Sequence, residues 1–81
     1  MKVHVEFFSR LRELAGVSEI ELEPPNGATA ADLLELFYAR TPELREWDKS
    51  ILLAAGMEFV GRDYILQPAD QISIMPPVQG G

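Results

Sequence analysis

The spacing of apolar residues changes along the N-terminal half of the chain, and this change limits the folds open to it. In the stretch KVHVEFF, apolar Val3, Val5 and Phe7 alternate with polar residues, and SEIELE repeats the pattern with Ile20 and Leu22. Alternation with a period of two is typical of a strand with one buried face. Both stretches are therefore predicted to be strands.

The segment after the second strand has helical spacing instead. The apolar residues at i, i+3, i+4 and i+7 are Ala30, Leu33, Leu34 and Phe37. Such a stripe predicts an amphipathic helix. The pattern Thr-x-x-Asp, from Thr29 to Asp32, predicts a capping box at its start. We expect the helix to end near Arg40, because Pro42 disfavours the helical conformation of the residue before it.

A shorter helix is predicted between the two strands. Leu11, Leu14 and Ala15 have the spacing i, i+3, i+4, which indicates a helix of at most two turns. Ser9 is the residue type that caps a helix start, and Gly16 suits its end. We therefore expect Ser9 as the N-cap.

The C-terminal half contains further strand patterns. The stretch ILLAAGMEFV predicts a hairpin that turns at Gly56. The stretch YILQPADQ is irregular, and its Pro68 argues against a central strand. In QISIM, Ile72 and Ile74 are predicted to face inward and Met75 the opposite way. This last strand should end where two prolines remove backbone donors.

The order of these elements predicts an α+β fold of two layers. We expect a mixed sheet of four to five strands, one main helix packed across it, and a short helix after strand 1. The last strand is expected to pair centrally beside the first. Residues 1–77 should form one domain, and residues 78–81 a flexible C-terminal Gly-Gly tail.

Composition disfavours several classes of function. Thirteen Asp and Glu residues against seven Lys and Arg give a net charge of −6, which disfavours nucleic acid as a partner. There is no cysteine and one histidine, so we expect neither a thiolate site nor a transition-metal site. No apolar run approaches the roughly 20 residues that span a membrane. No membrane partner and a cytoplasmic location are therefore expected.

The stretch PPVQGG follows the last predicted strand. Its residues are Pro76, Pro77, Val78, Gln79, Gly80 and Gly81. The proline pair favours a stiff, extended exit, and glycines make the end thin enough for a narrow channel. The carboxylate of Gly81 can attack the α-phosphate of ATP, but the chain has no phosphate-binding loop of its own. Activation would have to occur in another protein. A terminal glycine pair also occurs without any function.

Several stretches together resemble one family. FFSRLRELAG, LLAAGMEFV and PADQISIMPPVQGG are similar to the small subunits of molybdopterin synthase, which are ubiquitin-like β-grasp sulfur carriers. The resemblance covers the full length, and PPVQGG after an apolar strand is its most specific mark. The RLRELAG segment separates this family from the shorter thiamine-pathway carriers. One departure is Ala69-Asp70, where family members commonly have Gly-Asp.

The resemblance implies a sulfur-carrying role. An E1-like enzyme would adenylate Gly81 with its own ATP and magnesium, and a persulfide donor would convert it to a thiocarboxylate. The large synthase subunit, in a 2:2 heterotetramer, would transfer the sulfur to cyclic pyranopterin monophosphate. This chain would bind no cofactor and have no turnover alone, since the catalytic groups are expected on the large subunit. Phe8, Phe59 and Met75 match the family's partner interface.

Alternatives remain open from the residues alone. Exposed apolar residues on the polar or mixed strand faces suggest a docking surface, although Phe8, Phe59 and Met75 are also consistent with a satellite cluster packed under a loop or the short helix. The Gly-Gly end also suits a sulfur carrier of another pathway, such as thiamine or tRNA thiolation, and a ubiquitin-like protein modifier. His4, between Lys2 and Glu6, is predicted to be a solvated surface histidine.

Overall fold

The computed structural model describes residues 1–77, which contain five strands, two α-helices and one 3-10 helix. In chain order they are β1 (Val3–Phe7), α1 (Ser9–Ala15), β2 (Glu19–Leu22), α2 (Ala30–Arg40), the 3-10 helix (Pro42–Trp47), β3 (Leu52–Ala55), β4 (Glu58–Val60) and β5 (Gln71–Met75). This is the order of elements that the sequence predicts. The predicted tail at residues 78–81 lies outside the described residues.

The last strand occupies the middle of the sheet. The strand order is β2-β1-β5-β3-β4. β5 pairs in parallel with β1 and antiparallel with β3, so the sheet is mixed. A parallel pair needs a long crossover, and the segment containing α2 lies between the two strands in sequence. The predicted mixed sheet, with the final strand beside the first, is confirmed.

The main helix begins and ends as its sequence predicts. The hydroxyl of Thr29 accepts a hydrogen bond from the backbone N–H of Asp32 at 3.3 Å, and the Asp32 carboxylate accepts one from the Thr29 N–H at 2.9 Å. These two bonds form the capping box, and such a cap contributes about 1 kcal/mol. The helix ends at Arg40, one residue before Thr41.

The start of α1 differs from the prediction. Phe8, not Ser9, is the N-cap, and no side chain caps the helix. β1 runs into α1 without a loop, because the N–H of Phe8 still donates to the carbonyl of Ile74 at 3.1 Å. The chain then turns at Ser9, whose φ of 52° is in the left-handed region. Ser9 is the first residue of the helix and not its cap. The predicted end at Gly16 is confirmed by its left-handed φ of 79°.

The hairpin between β3 and β4 is also confirmed. Ala55 pairs with Glu58, so the loop consists of Gly56 and Met57. Gly56 has a φ of 62°, which glycine adopts without steric cost. The segment between β4 and β5, which includes Pro68, is irregular as predicted.

One face of the sheet and all three helices enclose the core. The rings of Phe7 and Phe37 meet edge to face, with centroids 4.8 Å apart. Leu11 of α1 and Leu44 of the 3-10 helix are buried in the same cluster. The inward residues of the strands belong to it too: Val3, Val5, Leu53, Ile72 and Ile74. The buried side chains of the helices therefore lie on one side of the sheet, and the face opposite α2 is called the open face.

Candidate functional site

The exit of the C-terminal segment is held at the centre of the sheet. Met75, the last residue of β5, pairs with Leu52 of β3. On the other side, the Phe8 N–H continues the bonding of β1 to β5. Pro76 and Pro77 follow as half-buried residues outside any strand. The end of β5 is thus held from both sides. The remaining tail residues lie outside the described part of the chain: Val78, Gln79, Gly80 and Gly81.

The three predicted interface residues lie together on the open face. Ile74 faces the core, so the next residue, Met75, points the opposite way. Phe59 pairs with Ala54, which also alternates with core-facing neighbours. Phe8 follows core-facing Phe7 in an extended conformation and so shares this face. We call the following set the apolar patch: Phe8, Leu52, Ala54, Phe59 and Met75.

The apolar patch is separate from the core. None of its members belongs to the main hydrophobic cluster of residues 1–77 or packs against it. Phe59 is 73% exposed, whereas Ala54 is only 8% exposed and is covered from the open face. Such exposure of Phe59 does not fit a cluster packed under a loop or the short helix. The patch is an apolar surface at the end of β5, next to Pro76.

His4 lies on the open face as well, at its other side. Its Nε2 atom is 2.7 Å from Oε1 of Glu19, and its side chain is 34% exposed. The residue is therefore at the surface, as predicted, and contacts a carboxylate. No group of three or more His, Asp or Glu side chains in residues 1–77 could hold a metal ion.

A turn precedes β5, and its side-chain hydrogen bonds were not predicted from the sequence. The Asp70 carboxylate accepts hydrogen bonds from the hydroxyl of Tyr64 at 2.7 Å and from the N–H of Gln67 at 2.8 Å. The bond to Asp70 is the main reason why the pKa of Tyr64 is raised. The Asp70 carbonyl also accepts from the His4 N–H at 2.9 Å. Asp70 thus ties β5 to β1.

A second network holds the beginning of β3. The hydroxyl of Tyr38 donates to Asp48 at 2.6 Å, and Arg62 donates to the carbonyls of Asp48 and Ile51. Burial, and then the bond to Asp48, raise the pKa of Tyr38 well above its ordinary range. The guanidinium of Arg45 lies 4.8 Å from the centre of the Tyr38 ring. The side chain of Arg62 thus stabilises the segment that leads into β3.

Two shallow depressions lie away from the exit. One is formed by the loop before α2 together with Asp32 and Leu36. The other includes His4, Glu19 and Gln71. Neither contains a member of the apolar patch. Over residues 1–77, no helix is long and apolar enough to cross a membrane.

Known proteins resemble the chain over its whole length. The family model described as the ThiS family matches residues 5–81. The molybdopterin synthase sulfur carrier subunit of Arabidopsis thaliana is 33% identical over 81 residues, covering 100% of this chain and 84% of the plant protein. The protein of the same name from Chlamydomonas reinhardtii is 35% identical over 83 residues and covers 100% of both chains.

Solved structures share the fold. The putative molybdopterin converting factor, subunit 1, from Pyrococcus furiosus has a TM-score of 0.86 and 35% identity, covering 96% of this chain and 99% of that one. A complex of subunits 1 and 2 of the molybdopterin-converting factor from Helicobacter pylori contains a chain with a TM-score of 0.72 and 24% identity, covering 100% of both chains. That second likeness shows the fold alone.

These matches confirm the resemblance read from the sequence and the ubiquitin-like β-grasp fold. The family model extends over nearly all of the chain, through Gly81. The two relatives exceed 30% identity over the full length of the chain. This chain belongs to the ThiS family.

Proposed function

We propose that the chain is the sulfur-carrier small subunit of molybdopterin synthase, with Gly81 as the residue that carries the sulfur. The observation that supports this best is the geometry of the exit. β5 is held on both sides at the centre of the sheet, and Pro76 and Pro77 follow it beside the exposed apolar patch. The proline pair from which the C-terminal residues continue thus lies beside a surface suited to docking.

The chemistry changes the carboxyl group of Gly81 three times: to an acyl-adenylate, to a thiocarboxylate, and back to the carboxylate. A carboxylate oxygen of Gly81 attacks the α-phosphate of ATP, pyrophosphate leaves, and an acyl-adenylate forms. The terminal sulfur of a persulfide then displaces AMP, and a thiol cleaves the resulting acyl persulfide to release the thiocarboxylate with formation of a disulfide. In molybdenum cofactor biosynthesis the thiocarboxylate sulfur then bonds to a carbon of cyclic pyranopterin monophosphate, and water cleaves the resulting thioester, which leaves the sulfur on the pterin and returns the Gly81 carboxylate.

The catalytic groups belong to partners in this proposal. An E1-like enzyme binds the ATP and magnesium, and the large synthase subunit binds the pterin in the cytoplasm. The large subunit covers the apolar patch, with Phe8, Phe59 and Met75 at the contact, and a 2:2 heterotetramer results. The complex of subunits 1 and 2 of the molybdopterin-converting factor, which contains a chain of this fold, supports a second subunit as partner.

Sulfur loading is measured by intact mass. The chain is incubated with the E1-like enzyme of the same genome, magnesium, ATP and a persulfide donor. We expect the mass to rise by the exchange of one oxygen for one sulfur, and fragmentation to place the change on Gly81. A ladder of heavier conjugates would instead indicate a protein modifier.

Deletion of Gly81 tests the role of the terminal residue. We expect the shortened chain to lose all loading and to keep the thermal midpoint of the full chain, because the residue lies beyond the last strand. Loading at the new C-terminal residue would refute the role of Gly81. A lower thermal midpoint would show that the residue supports the fold.

A further inference from the structure

The open face of the sheet is divided into an apolar and a charged side. The apolar patch lies mainly on β3, β4 and the end of β5. On β1 and β2 the same face carries carboxylates, because Glu6 pairs with Glu19 and His4 pairs with Glu21 in the register of the two strands. We call Glu6, Glu19 and Glu21 the acidic strip.

The acidic strip has little charge compensation among residues 1–77: Lys2 lines the same depression as Glu19 and Glu21 but forms no ion pair with either. Glu6 and Glu19 stand directly opposite each other, an arrangement of like charges that destabilises a sheet. His4 contacts Glu19 alone. Among residues 1–77, neither Glu6 nor Glu21 forms an ion pair. A cation supplied from outside would therefore relieve a repulsion as well as gain an attraction.

We infer that the acidic strip is the second half of the docking face, and that the protein covering the apolar patch places Lys or Arg side chains over Glu6 and Glu21. This inference rests on the proposed function, which makes the large synthase subunit the occupant. Neighbouring strands are about 4.8 Å apart, so β1 and β2 lie about 14 to 19 Å from β4. On the surface of the partner, the Lys or Arg side chains should therefore lie about 14 to 19 Å from the site that contacts Phe59.

A second copy of this chain fits the face less well. Two copies paired patch against patch would bring together two chains that each have a net charge of −6, which opposes their association. Pairing patch against strip would bury carboxylates against apolar side chains without a partner, which is costly. Charge complementarity therefore favours a basic partner.

The test compares two variants with the same change in net charge. Glu6→Gln/Glu21→Gln removes two charges from the acidic strip. Glu43→Gln/Glu46→Gln removes two from the 3-10 helix, where both residues are exposed and lie outside the strands of the open face. Association with the large subunit of the same genome is followed by stopped flow at low and at high salt.

We expect the strip variant to associate about 3- to 10-fold more slowly at low salt, since local charge steers encounter. The difference should vanish near 1 M salt, where screening acts within about 3 Å. The 3-10 helix variant should remain close to the unmodified chain. Glu6→Lys/Glu21→Lys should be slower still, with circular dichroism confirming that every variant is folded.

The contrary outcomes separate the inference from the proposed function. If both double variants slow association equally, or if the strip variant associates normally, the inference is wrong while the large subunit remains the partner. If the unmodified chain does not bind the large subunit at any salt concentration, the proposed function and the inference both fail. Dimerisation of the free chain that is enhanced in the strip variant would assign this face to a second copy.

Discussion

Replacement of Phe59 by alanine separates docking from folding more clearly than any other change on the open face. Full burial of a phenylalanine side chain contributes roughly 1.5–3 kcal/mol. Phe59 is 73% exposed, so only about a quarter of that contribution, roughly 0.4–0.8 kcal/mol, is lost on truncation. For a domain of this size the thermal midpoint should fall by about 2 to 6 °C.

The expected effect on binding is larger. An aromatic residue at the centre of an interface commonly contributes about 2 kcal/mol or more, which corresponds to a roughly 30-fold weaker Kd. Isothermal titration with the large subunit measures this loss. Leu36→Ala is the matched control, because Leu36 is an exposed apolar residue of α2, in the layer opposite the open face. Its Kd should not change.

Two results would refute the reasoning. An unchanged Kd for Phe59→Ala would place the interface elsewhere on the domain. A loss of stability of about 3–5 kcal/mol, as expected for truncation of a buried ring such as Phe7, would show that Phe59 supports the fold. In either case the apolar patch would not be a docking surface.

Two further predictions concern the scaffold behind the exit. Asp70→Ala removes the acceptor for Tyr64 and Gln67, and it should lower the free energy of unfolding by about 1–2 kcal/mol in urea; an unchanged midpoint would show that the turn forms without the carboxylate. The pKa of Tyr38 is raised in the folded state, so its stabilising contribution is complete below about pH 10 and is lost as the pH rises through the folded pKa. Tyr38→Phe should reduce this alkaline loss of stability, and a variant with the same pH profile as the unmodified chain would contradict the prediction.

Most local structure was predictable because the signals lie within a few residues of each other. The alternation of Val3, Val5 and Phe7 identified the first strand and its buried face. The Thr29–Asp32 pair identified the start of α2. These features depend on local backbone geometry and on the period of the apolar residues, and both can be read without knowledge of the rest of the fold.

The cap of α1 shows where local signals are insufficient. A serine before an apolar stripe is a common helix start, yet Ser9 lies inside the helix. The cause is a contact between residues that are far apart in sequence. The N–H of Phe8 bonds to the carbonyl of Ile74 in the last strand, and this bond keeps Phe8 extended as the N-cap. A pairing between residues so far apart leaves no trace in the local pattern.

Polar networks were missed for the same reason. Tyr38 is buried although it lies one residue beyond the predicted stripe, and its hydroxyl is satisfied by Asp48 from another element. Arg62 bonds to two backbone carbonyls, those of Asp48 and Ile51, and no local pattern indicates such bonds. Phe8, Phe59 and Met75 were grouped from their places on the strand faces and from the resemblance, and the strand register shows that they share one face.

The fate of labelled sulfur in a single turnover tests the central claim most directly. The chain is loaded with isotopically labelled sulfur at Gly81, purified, and mixed with the large subunit and cyclic pyranopterin monophosphate. The account predicts that the label leaves the chain and appears in the dithiolene of the pterin, while the mass of the chain returns to that of the free carboxylate. Label that stays on Gly81, or that reaches another acceptor in preference to the pterin, would contradict it.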